Sequence, residues 1–175
     1  MPLPSSPKRC CQTAFQAVRA DHLDCLAEMG RDLLESRDIY GQTPLHVAAK
    51  LGRLDIVEFL LKYAPETQDV ITQCGENPIL IAAAEGHIRI VERLLQGPLK
   101  LATVRALHRD INGTSVLMAA VVRGDNDMAF WLLRRFGKAL AMHPNNCRML
   151  PLHVAAAQGD RKVTLAINVD NLFLH

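Results

Sequence analysis

The sequence predicts an all-α fold, an α-solenoid of stacked helix-turn-helix units joined by turn or hairpin loops. A segment running from Asp38 to Leu61 recurs three more times in weaker form, and self-similarity at this length is typical of repeat architectures. Apolar residues make up 49% of the chain but aromatic residues only 5%, which favours thin helix pairs over one large core. The copies also share a glycine at intervals of 34, 38 and 35 residues. These glycines are Gly52, Gly86, Gly124 and Gly159.

The clearest copy explains how each unit begins. Residues 38–42 are predicted to form a turn in which Gly41 supplies a backbone conformation that other residues resist. Thr43 follows as the cap of a first helix, and Pro44 occupies its first position, where the missing N–H costs nothing. Gly52 then ends this helix.

The two helices of the copy have complementary apolar faces. Small residues such as Ala48 and Ala49 let the first helices of neighbouring units approach closely. In the second helix, Ile56, Val57 and Leu60 recur at the spacing of one buried stripe. A single pair cannot bury such a face, but a stack of pairs can.

Four short segments carry a family resemblance. TPLHVAAKLG, NPILIAAAEG, SVLMAAVVRG and LPLHVAAAQG begin at positions 43, 77, 115 and 150, and they resemble the ankyrin repeat, which has a T-P-L-H-x-A first helix. The resemblance implies an ankyrin domain over residues 12–159, with five units of which the first and last are degenerate. The expected unit limits are 12–37, 38–71, 72–109, 110–144 and 145–159. A flexible segment, 1–11, precedes them.

The fifth unit and its continuation depart from the repeat. Arg148 stands where the turn glycine belongs, so a different turn geometry is expected there, with Asn145 and Asn146 at positive φ. After residue 159, Val163, Leu165 and Ile167 alternate as in a strand. We therefore expect 160–175 to be an incomplete last repeat or an irregular tail. A fragment of a longer repeat protein is the favoured explanation.

Two internal connections, 96–109 and 134–147, are longer than the repeat requires. Residues 96–109 hold several apolar side chains, which can either extend a helix or pack a loop onto the convex side. The sequence leaves both open.

Composition excludes several function classes. Twenty basic and 18 acidic residues give a net charge of +2, which would not attract nucleic acid or an acidic membrane. No apolar run approaches the roughly 20 residues of a membrane span, and the first residues lack the apolar stretch of a signal peptide. The five cysteines include no CxxC pair, so neither a disulfide framework nor a zinc site is expected. Reduced thiols favour the cytoplasm or the nucleus.

No arrangement of residues predicts catalysis, a cofactor or a metal. The nucleotide, zinc-protease and serine-hydrolase motifs are absent. His46 and His153 have no Glu or Cys at ligand spacing, and the family resemblance implies that this histidine bonds the threonine at the helix start. It also implies that His87 bonds backbone carbonyls between units. Cys74 lies at a turn tip without a histidine to activate it. We expect a protein that is not an enzyme.

The resemblance implies a function in protein binding. In ankyrin proteins the concave side, formed by turn tips and the outer face of the first helices, binds partners, and exposed apolar residues there indicate a contact surface. The expected chain is a monomeric, non-enzymatic adaptor or scaffold. Alternatives are the N-terminal ankyrin part or isoform of a larger cytoskeletal or membrane-channel protein, or an inhibitor masking a transcription factor. The sequence does not name the partner. The predicted partner-binding residues are Ile39, Tyr40, Gln42, Lys50, Leu51, Arg53, Gln73, Cys74, Glu76, Glu85, Ile111, Asn112, Thr114, Val122 and Arg123.

Overall fold

Five helix pairs stack in chain order in the computed structural model, which describes residues 10–172. The first, inner helices of the pairs are α1 (Ala14–Ala20), α4 (Pro44–Leu51), α6 (Pro78–Glu85), α9 (Val116–Arg123) and α12 (Pro151–Ala157). The second, outer helices are α2 (Leu23–Ala27), α5 (Leu54–Tyr63), α7 (Ile88–Leu94), α10 (Asn126–Phe136) and α13 (Arg161–Leu172). Three further α-helices lie in connections, α3 (Arg31–Leu34), α8 (Leu99–Ala106) and α11 (Lys138–Ala141), and a 3-10 helix spans Pro65–Asp69. The described residues contain no strand, so the predicted all-α solenoid is confirmed.

The inner helices begin and end with the local signals seen in the sequence. Oδ1 of Asn77 accepts a hydrogen bond from the Leu80 N–H at 2.8 Å, and Oγ of Ser115 accepts one from the Met118 N–H at 3.3 Å. These side chains satisfy N–H groups that the first helical turn leaves unpaired. At the other end, Gly52 takes a φ of 73°, which a residue with a Cβ adopts only with strain.

Successive inner helices pack directly on one another. α1 contacts α4, α4 contacts α6, α6 contacts α9, and α9 contacts α12. Ala48, Ala82 and Ala120 are fully buried in these contacts, and the small side chain lets the helix backbones approach. The buried apolar residues of the inner and outer helices together form one continuous core.

The turn of the fifth unit uses the same geometry as the glycine turns, so our expectation for it is wrong. Arg148 itself takes a φ of 61°, and neither Asn145 nor Asn146 is at positive φ. The Arg148 N–H donates to the Asn145 carbonyl at 2.9 Å, as the Gly41 N–H donates to the Asp38 carbonyl at 3.0 Å. The side chain of Asn145 also accepts from two backbone N–H groups of the turn. These bonds hold an arginine in a conformation that favours glycine.

The connection 96–109 contains a helix of its own. In α8, Ala102 and Ala106 are buried, whereas Leu99, Leu101 and Val104 are exposed. The sequence left open whether this connection extends a helix or packs as a loop, and the observed short helix is closer to a helix extension. Most of its large apolar side chains are exposed to solvent.

The alternation of residues 163–167 indicated a strand, and this prediction is also wrong, because the segment is helical. Val163 and Ile167 are each 1% exposed, whereas Leu165 is 63% exposed. Residues four apart lie on the same side of a helix, so 163 and 167 face the core of the stack. Asp160 caps this helix by accepting from the N–H groups of Lys162 and Val163. α13 is the longest of the described helices at 12 residues, and none of them is long and apolar enough to cross a membrane.

Candidate functional site

All fifteen predicted partner-binding residues reach solvent to some degree. At the turn tips, Ile39 is 79% exposed, Tyr40 61% and Ile111 61%. At the ends of the inner helices, Leu51 and Val122 remain 44% and 56% exposed. Large apolar side chains therefore lie in water at the turn tips and at the ends of the inner helices.

Hydrogen bonds join the turn tips into a row. The N–H of Gln73 donates to the Tyr40 carbonyl, and the N–H of Ile111 donates to the Cys74 carbonyl, each at 3.0 Å. The Gln73 side chain adds a bond to the Ile39 carbonyl at 2.8 Å. The structure thus places the predicted tip residues of successive units next to one another, with their apolar side chains free.

Several of the predicted residues also hold the stack together, a role not expected for them. The Lys50 carbonyl lies 3.0 Å from Nε2 of His87, which confirms the expected bond between units. A guanidinium nitrogen of Arg123 donates to the Ala84 carbonyl at 3.0 Å. Arg53 pairs with Asp21 of the first unit at 2.8 Å. The side chains of Arg53 and Arg123 are therefore held by bonds within the stack.

A cavity of about 380 Å³ lies on the inner-helix side of the third to fifth units. Thr114, Val122 and Arg123 of the predicted set line it. The remaining lining residues were missed by the sequence analysis: Ala84, Met118, Ala119, Asn145 and Val154. A signal was present, because residues 118, 119 and 122 share one face of α9 by helical spacing.

A second cavity, of about 320 Å³, lies beside α8. Ile71, Leu101 and Val104 contribute its apolar part. The Arg105 guanidinium closes one side through two bonds to the Asp69 carboxylate at 2.7 and 2.8 Å. None of the predicted partner-binding residues lines this second cavity.

The buried histidine has the structural environment that the resemblance implied. Nδ1 of His46 accepts from the Thr43 N–H at 3.0 Å and lies 2.9 Å from the Thr43 hydroxyl oxygen. Because Nδ1 is an acceptor, the proton of the neutral ring is on Nε2, which has no hydrogen-bond partner among the described residues. Burial lowers the pKa of His46 to about 4. Backbone groups of Glu76 and Val70 favour the protonated ring and so raise the pKa, but by less than burial lowers it. His153 repeats the contact with the Leu150 N–H at 3.0 Å but is exposed.

Three of the five cysteines meet at the start of the stack, although the absence of a CxxC pair predicted no zinc site. The Sγ atoms of Cys10, Cys11 and Cys25 and a ring nitrogen of His22 all lie within 4.8 Å of one another. Burial, followed by the neighbouring thiols, raises the pKa of Cys11 to about 11, whereas a hydrogen bond with Cys10 lowers the pKa of Cys25. These four residues offer a set of metal-ligating atoms.

Two known protein-family profiles match this chain, and both describe the kind of repeated helix pair that the structure contains. A family profile described as ankyrin repeats (many copies) matches residues 45–95. Another, described as ankyrin repeats (3 copies), matches residues 80–168. The second match spans 89 of the 175 residues, and it extends into α13.

Proposed function

The chain belongs to the ankyrin repeat family, whose repeats generally bind other proteins, and we propose that it is a non-enzymatic adaptor or scaffold. The concave side of its stack holds a segment of a partner protein. The chain acts as a monomer in the cytoplasm, the nucleus or both. The exposed apolar row beside a preformed cavity is the observation that carries this proposal.

The row of turn tips offers apolar contact area to a partner with little loss of conformational entropy on binding. Tyr40 and Ile111 are exposed at tips whose backbones are already hydrogen-bonded to the next unit. A partner that covers them removes apolar surface from water without first having to fix the loops. Single exposed apolar residues are common on proteins, but a row aligned by backbone bonds is a surface that one extended segment can cover.

The cavity indicates the chemistry of the bound segment. Met118, Ala119 and Val122 give it an apolar lining, and Arg123 and Thr114 add hydrogen-bonding groups at its side. An apolar anchor residue fits this lining. A carboxylate beside that anchor can accept from those N–H groups of Arg123 that are not bonded to Ala84. We propose a partner segment with these two features.

A pair of double variants tests the surface. Tyr40→Ala/Leu51→Glu changes the concave side, and Tyr63→Ala/Leu101→Glu makes the same chemical changes elsewhere. The match in exposure is close, since Tyr63 is 48% exposed and Leu101 46%, against 61% and 44% for the concave pair. Each chain is used to capture proteins from cytosolic and nuclear fractions, followed by mass spectrometry, with far-UV circular dichroism to verify helicity.

We expect one or more partners to be retained by the wild type and the Tyr63→Ala/Leu101→Glu chain and lost by the concave variant. Identical partner sets for all three chains would contradict the concave site, and chaperones alone would contradict the adaptor function. The identity of the captured protein also separates the alternatives. Filament or channel proteins favour a structural role, and a transcription factor favours an inhibitor.

A further inference from the structure

The first unit places four metal-ligating side chains around one point. Cys10 and Cys11 lie four and three residues before the start of α1, His22 lies between α1 and α2, and Cys25 lies within α2. Asp21 brings them together by taking a φ of 60° at the end of α1, which turns the chain sharply into the second helix. His22 and Cys25 are then three residues apart, a spacing that places two side chains on one side of a helical turn.

The separations within this cluster resemble those of ligands around one ion. Sγ of Cys10 lies 3.7 Å from Sγ of Cys11 and 3.3 Å from Sγ of Cys25. Nδ1 of His22 lies 3.0 Å from the first of these sulfurs and 3.5 Å from the second. Tetrahedral zinc with its usual bond lengths sets ligand atoms about 3.8 Å apart for two sulfurs and about 3.6 Å apart for sulfur and nitrogen. Small side-chain shifts would therefore accommodate a zinc ion.

We propose that Cys10, Cys11, His22 and Cys25 form a structural zinc site that fastens the N-terminal end of the stack. Three thiolates and one imidazole are a closed ligand set of the kind that structural zinc uses. The soft sulfur donors disfavour calcium and magnesium, which take oxygen ligands. No ligand position remains for water, so the site has a structural and not a catalytic arrangement.

The position of the site explains what the metal contributes. α1 and α2 have only 7 and 5 residues, so this pair buries little apolar surface of its own. Cys11 and Cys25 are buried at 6% and 9% exposure, so their sulfurs continue the core of this short pair. An ion bonded to all four residues ties the segment before α1 to α2 and so stabilises this short helix pair.

Metal analysis of the full chain, free of any polyhistidine tag and kept reduced, tests the proposal. We expect about one zinc per chain, removed by a chelator with a fall in Tm and restored by one equivalent of Zn²⁺. Cys10→Ser/Cys25→Ser should abolish binding. Cys74→Ser/Cys147→Ser is the matched control, since it removes two exposed thiols outside the cluster, and it should bind zinc as the wild type does.

Two further measurements keep the proposal testable if the double variant unfolds. Cys10 is exposed, so Cys10→Ser alone opens no cavity and should lower zinc affinity by more than about tenfold. Cobalt(II) bound to the wild type should show the thiolate charge-transfer and visible bands of a tetrahedral site. Failure of the reduced wild type to bind zinc, equal binding by both double variants, or a Cys10–Cys25 disulfide in chain isolated under thiol-blocking conditions would overturn the proposal.

Discussion

Replacing His46 by glutamine should make the fold less sensitive to acid. The His46 ring is fully buried, and its Nδ1 accepts the Thr43 N–H at the start of α4. Protonation of Nδ1 would place an N–H against that N–H and remove the bond. Glutamine at this position can still provide an oxygen acceptor, as in the capping-box arrangement, but it has no proton to gain.

The size of the effect follows from the pKa of the ring. Burial lowers it to about 4, from 6.5 for a solvated histidine. The unfolded chain therefore binds this proton more readily than the folded chain. The contribution to stability is fully present above pH 6.5 and is lost as the pH falls towards 4. Between pH 7.5 and 4.5 the loss amounts to about 2–3 kcal/mol of unfolding free energy.

Urea unfolding followed by circular dichroism at both pH values measures this loss. The wild type should lose about 2–3 kcal/mol more than His46→Gln over the interval, because the carboxylates titrate in both chains and cancel in the difference. Parallel losses in the two chains would refute the reasoning. So would an NMR titration in which the His46 ring of the folded chain takes up its proton near pH 6.5.

Two backbone predictions concern residues at positive φ. Gly52→Ala and Gly124→Ala should each cost about 1–2 kcal/mol from left-handed strain, but the first should cost about 1 kcal/mol more. Its added Cβ would lie 2.7 Å from the His87 ring and displace the bond to Lys50, whereas the Cβ at Gly124 meets nothing within 4 Å. Equal shifts of the urea midpoint would contradict this difference. Arg148→Gly should stabilise the fold by about 0.5–1 kcal/mol in the same assay, with Arg148→Ala as the control that keeps the strain. A gain from both variants would contradict the explanation.

The parts of the fold that sequence predicted correctly depend on local signals. Thr43 and Pro44 start a helix, and Gly52 ends one, through backbone properties that act within a few residues. The exposed tips were predicted for the same reason, since a repeated turn places equivalent residues in equivalent positions. Ile39 and Ile111 accordingly share the same environment in the structure.

The wrong sequence predictions have two causes. Either one local pattern is compatible with two structures, or contacts with residues distant in the sequence determine the conformation. Val163 and Ile167 satisfy strand alternation and helical spacing equally, and packing against the rest of the stack selects the helix. Arg148 shows that hydrogen bonds can impose a conformation that its own propensity disfavours. The approach of Cys10 to Cys25 depends on a left-handed Asp21, which no cysteine spacing reveals.

The row of turn tips and the order of helix contacts have a mechanical consequence. Each inner helix has close contacts with the one before and the one after it, and a single backbone hydrogen bond, such as that from Gln73 to Tyr40, joins one tip to the next. Tension applied to the two ends would therefore be carried from one unit to the next through these contacts in series. Units would detach one at a time, each releasing its own length of polypeptide while the remaining units stay folded, so the protein would lengthen in steps under load and shorten again when the load is removed.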